Sequence, residues 1–146
     1  MFEVVAGLEG QSGELAAARI SDAERKEIRS LHSEMPAAHA RRDLRAYCAM
    51  NAQIHDLINA AARNPVLTQT FRTINARPQA LRFRSNFDEA KWNRAVAEHK
   101  QMIRLLLARD GAALRALLVA HLEHKRDAVL DLMHNGRNGA APKAGA

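Results

Sequence analysis

A chain of 146 residues fits one domain large enough to bury a sizeable core. Aromatic residues are only 4% of it and alanine, leucine and arginine dominate, which favours a helix bundle over a sheet. No run approaches the roughly 20 uninterrupted apolar residues of a transmembrane span, and the net charge of +6 is spread among interleaved acids without a nucleic-acid reading motif.

In chain order, Phe2 to Arg19 is apolar-periodic and predicts a first helix. Ser21-Asp22-Ala23-Glu24 has the form of a capping box and starts a second, running to about Arg42 with a kink expected at Pro36. Asp43 can cap a third, which ends near Arg63. Asn64-Pro65 then supplies an N-cap and a proline at the first position of the fourth. Pro78 is expected to bend that helix and leave Arg77 to Phe87 irregular. Asp88 or Phe87 opens a fifth helix ending at Ala108. Arg109-Asp110-Gly111 is a tight connection to a sixth, continuing to about His134, and residues 135–146 read as a flexible tail. The expected fold is therefore all-α, an antiparallel bundle of about six helices over residues 1–134. The N-terminus has no basic region followed by an apolar run, so a soluble, cytoplasmic protein with no membrane partner is expected. The one cysteine, Cys48, lies on an apolar stripe and reads as a core residue rather than a nucleophile.

Polar residues interrupt three of the apolar faces. Asn51 and His55 lie one turn apart in the stripe Leu44, Tyr47, Cys48, Ile54, Ile58. His99 lies among Trp92, Ala95, Val96, Met102, Ile103, and His121 among Leu114, Leu117, Leu118, Lys125, Ala128, Leu132. An unpaired buried imidazole or amide costs about 1–3 kcal/mol, and one divalent metal would satisfy several at once. Each histidine alone is also compatible with a core residue satisfied by a carbonyl or water. His124, one turn from His121, could take its place as a ligand, whereas His32, His39 and His134 read as surface residues. On the fourth helix Arg77 and Arg84 share a face with Leu67, Ile74 and Leu81, and an arginine aimed inward needs an anion.

The ordered residues Phe2-Glu3-Val4-Val5 with Leu8-Glu9, Leu15-Ala16-Ala17, Asn51-Ala52-Gln53-Ile54-His55, Asn64-Pro65, Glu98-His99, Arg109-Asp110 and His121 resemble the FCD domain. That is the C-terminal effector-binding domain of GntR-type bacterial transcription regulators, and the resemblance covers about Phe2 to Met133. It implies a helical bundle holding a divalent metal through Asn51, His55, His99 and His121. Asn51 stands where many members carry Asp, and an amide oxygen is the weaker ligand. The family's N-terminal winged-helix DNA-binding domain is not in this sequence.

What the resemblance implies is a sensor. A metal held by three imidazoles and an amide (zinc, nickel, cobalt or manganese) keeps open positions for the carboxylate of a small organic acid. Arg84, in the segment Arg84-Ser85-Asn86-Phe87 that is similar to the family's R-x-Q-F, would hold a second anionic group, with Arg82 or Arg77 as substitutes. A homodimer is expected, with DNA bound only through the winged helix and no catalysis. One rival is a metalloenzyme with Glu98, Asp56 or Glu123 as base, although each adjoins a ligand and so points about 100° away on its helix. The other is a helical dimerisation module with no ligand.

Overall fold

The computed structural model describes residues 2–75, 86 and 88–138. Six helices account for nearly all of them: α1 Phe2–Arg19, α2 Asp22–Ala40, α3 Leu44–Ala61, α4 Pro65–Asn75, α5 Glu89–Leu107 and α6 Gly111–Asn138. The fold is all-α, and no strand occurs among the described residues.

Local chemistry sets the boundaries. Ser21 Oγ accepts from the Glu24 N–H while the Glu24 carboxylate accepts from the Ser21 N–H, a complete capping box at the start of α2. Asp43, Asn64 and Asp88 side chains cap α3, α4 and α5. Helices α2, α3 and α5 each end two residues before an arginine in left-handed backbone, at Arg42, Arg63 and Arg109. These positions usually favour glycine, so side-chain contacts must offset the strain. Arg109 shows how: its guanidinium donates to the carbonyls of Ala17, Ala18 and Ile20 at 3.1, 3.3 and 3.1 Å, closing the C-terminus of α1. Arg19 likewise caps Ala62 at the end of α3 at 2.7 Å, and Arg25 caps Leu107 at the end of α5 at 3.0 Å.

Some expectations shift. Helix α2 ends at Ala40, short of Arg42, with the exposed Pro36 inside it. Helix α6 runs to Asn138, beyond His134, and Leu132 is exposed rather than inward because the helix has by then outrun the core. The irregularity expected at Pro78 lies outside the described residues.

Helix α1 runs antiparallel to α6 and parallel to α3. Its close approach to α6 uses glycine: a Cβ at Gly13 would stand 2.3 Å from Leu118 Cδ1, and one at Gly10 3.0 Å from Val119 Cγ2. The core joins Ala16, Ala17, Ile28, Met35, Tyr47, Ile54, Ile58, Trp92, Met102, Leu106, Leu114 and Leu118, so every long helix turns an apolar face inward. Four of those helices also deliver a polar residue to the same interior.

Candidate metal centre

Helix α3 presents His55, α5 presents His99 and α6 presents His121, leaving them 6%, 1% and 3% exposed. One nitrogen of each lies within 4.8 Å of the others. His55 Nε2 stands 3.1 Å from His99 Nε2, the His55 and His121 rings stack with centroids 5.9 Å apart, and His99 meets His121 edge to face at 4.8 Å.

The other nitrogen of each ring decides what these can do. Nδ1 of His55 donates to Glu9 Oε1 at 2.6 Å, Nδ1 of His99 to the Ala95 carbonyl at 2.7 Å, and Nδ1 of His121 to Glu98 Oε2 at 2.5 Å. Oxygen acceptors on Nδ1 hold the proton there and leave the Nε2 lone pair for a cation. Two such lone pairs face each other at 3.1 Å, a repulsive arrangement unless something positive lies between them. Two nitrogens on one metal at about 2.1 Å each are separated by about 3 Å, so the spacing suits a shared ion. Asn51 adds an oxygen: its Oδ1 is buried and has no hydrogen-bond partner among the described residues. A proton on His55 Nε2 would serve the His55–His99 pair alone. A divalent cation would serve all three nitrogens and the Asn51 oxygen, and the residues therefore fit a metal.

Electrostatics keep the centre ready for one. Burial pushes His99 well below the usual imidazole range, helped by the His121 and His55 rings and by the Lys125 ammonium, so it is neutral as a ligand must be. Lys125 is buried one turn beyond His121 and donates to Asn86 Oδ1, while Asn86 Nδ2 donates to Cys48 Sγ at 3.8 Å. Burial raises the Cys48 thiol despite the Asn86 bond and the Lys125 charge, which keeps it protonated. Burial likewise raises Tyr47.

Of the residues singled out in the sequence, the structure brings together His55, His99 and His121 and leaves Asn51 beside His55 on α3 with its oxygen buried. His124 is exposed and donates Nδ1 to Glu98 Oε1 at 2.5 Å, so it shares the orienting carboxylate instead of joining the three rings. Asp56 and Glu123 are exposed. Glu98 does point away from His99, but toward the Nδ1 side of His121, where it orients a ring and is not placed as a base. His32 and His39 are half-buried rather than surface residues; His39 Nε2 bonds Asn93 at 2.8 Å and its ring meets Trp92 edge to face. Arg77, Arg82 and Arg84 lie outside the described residues. Sequence reasoning missed the roles of Glu9 and Glu98. Glu9 had left a signal, since it falls on the face of α1 with Val5, Ser12 and Ala16, all buried.

The chain is thus an all-helical bundle with three histidines clustered inside it. The model of the FCD domain matches residues 1–124, and the chain belongs to that family. Among solved structures it is similar to E. coli McbR/YncC, with a TM-score of 0.78 at 14% identity over 89% of this chain. The match spans 62% of that structure's chain. No curated protein matches. Among the described residues no helix is long and apolar enough to cross a membrane.

Proposed function

We propose that this chain is the ligand-sensing domain of a GntR-type transcription regulator, holding one divalent metal through Asn51 Oδ1 and the Nε2 atoms of His55, His99 and His121. The observation that carries the reading is that one nitrogen of each of His55, His99 and His121 lies within 4.8 Å of the others while each Nδ1–H is tied to oxygen, which leaves the Nε2 side of each ring for a ligand. When bound, the metal supplies open coordination positions to the carboxylate of a small organic acid. Glu9 and Glu98 hold two of the rings in the ligating tautomer. Arg84, with Arg82 or Arg77 as substitutes, would take a second anionic group of that acid. Effector binding then biases the arrangement of helices in a cytoplasmic homodimer, and DNA is met through a winged-helix domain outside this sequence.

A sensor fits the centre better than an enzyme does. Among the described residues, Glu9 and Glu98 are engaged on the Nδ1 sides of His55 and His121 rather than placed as a general base would be. Elemental analysis of the purified chain should find about one divalent ion per subunit, and small hydroxy- and dicarboxylic acids should raise its thermal midpoint only while the ion is bound. Unchanged metal content in both His55→Ala and His121→Ala would overturn the ligand set. An equal thermal shift after chelation would overturn the metal-anchored effector, and turnover of one of those acids would overturn the sensor.

A further inference from the structure

A second recess, of about 130 Å³, opens between α2, α3 and α5. Pro36 and Val96 are among its apolar walls, and its polar lining is His32, Tyr47, His99 and Lys100. Neither Asn51, His55 nor His121 lines it. It forms where Pro36, having no N–H, interrupts the hydrogen-bond ladder of α2 one turn after His32.

Its polar lining is one-sided. Tyr47 Oη lies 3.3 Å from His99 Nδ1, but that nitrogen carries its proton toward the Ala95 carbonyl and has no lone pair to offer. The hydroxyl proton of Tyr47 is thus left without an acceptor among the described residues. His32 is partly buried with no hydrogen-bond partner there, and Lys100 has no ion pair there. Burial and the Lys100 charge both hold His32 below its usual range, so the cation is felt inside the recess. Three donor groups, one of them the Lys100 cation, border an apolar hole, and among the described residues no lining side chain is a carboxylate or amide.

We propose that this recess is a binding site, separate from the metal, for a short-chain monocarboxylate of about three to five carbons, a size set by comparison with a cavity of about 150 Å³ that holds benzene. The carboxylate sits among Lys100, His32 and the Tyr47 hydroxyl, and the alkyl chain lies against Val96 and Pro36. The ligand would touch Tyr47 and His99 from the side away from the Nε2 cluster, giving the domain a second small-acid input.

The test is an NMR titration of the zinc-loaded chain with butyrate, following the ring signals of His32. A saturable shift is expected. Val96→Phe, which fills the recess, should weaken it about tenfold or more, and Tyr47→Phe and the uncharged analogue butyramide should each weaken binding about tenfold. Full zinc content in Val96→Phe shows that the variant is folded. Absence of a shift at millimolar butyrate, equal binding of butyramide, or an unchanged response in Val96→Phe would each overturn the second site. If chelation abolishes the response while Val96→Phe retains it, the carboxylate sits on the metal, which overturns this proposal and leaves the metal-anchored reading standing.

Discussion

At the helix ends, arginine side chains complete what the backbone leaves open; at the centre, imidazoles leave something open between them. Arg19, Arg25 and Arg109 each reach another helix and bond its terminal carbonyls, so donors and acceptors match. Around the three rings the outer nitrogens are matched just as well, yet the inner nitrogens of His55 and His99 stand 3.1 Å apart, lone pair to lone pair. A bundle able to cap its helices this thoroughly could have filled its middle with leucine. Polar groups matched at the rim and left facing each other inside are what the proposed metal would satisfy.

That contrast can be broken first at the centre. His55→Ala or His121→Ala should abolish metal binding, and with it a stabilisation of about 4 kcal/mol at metal concentrations about 1,000 times Kd. Thermal melts with and without chelator should differ for the parent and coincide for the variants. Glu9→Gln and Glu98→Gln keep an acceptor but remove the charge behind Nδ1, and competition titration should show metal affinity lower by about 10- to 100-fold.

Packing between the two regions gives an intermediate effect. Gly13→Ala pushes a methyl into Leu118 and should cost about 1–3 kcal/mol in denaturant unfolding without changing metal stoichiometry. Acid sharpens the picture from the other side. The unfolded chain binds a proton at His99 near 6.5, whereas the folded chain resists it. The metal-free protein should therefore hold its full stability above about pH 6.5 and lose it as pH falls below that, and metal affinity should fall in the same direction. Equilibrium unfolding at a series of pH values checks the sign. The smallest effect is expected at the rim: Arg109→Ala should cost about 1 kcal/mol and leave metal affinity untouched.

What the sequence disclosed and what it withheld divide along the same line. Helix starts at Ser21, Asp43, Asn64 and Asp88 depend on atoms within three residues of one another and were legible. The inward register of His55, His99 and His121 followed from periodicity alone. That their rings converge did not, since periodicity gives a face but no depth along the bundle. Glu9 orients a ring 46 residues away and Glu98 one 23 away, and no local pattern reports such pairing. The capping roles of Arg19, Arg25 and Arg109 left no local signal for the same reason: the carbonyls they cap belong to other helices. Arg109 bonds across 92 residues.

The first and last helices lie against each other along their glycine-bearing faces, which places a constraint on how the molecule is made. Helix α1 carries Glu9 and α6 carries His121, so the cluster draws on the first and the last of the described helices. At a synthesis rate of about 5–20 residues per second, the apolar face of α1 waits on the order of ten seconds for its partner to emerge from the ribosome. Contacts that span the whole chain also come late in folding, because loop closure must precede them. The three-histidine cluster is thus among the last parts to assemble, and a chain truncated before α6 would retain α1 with its widest contact uncovered.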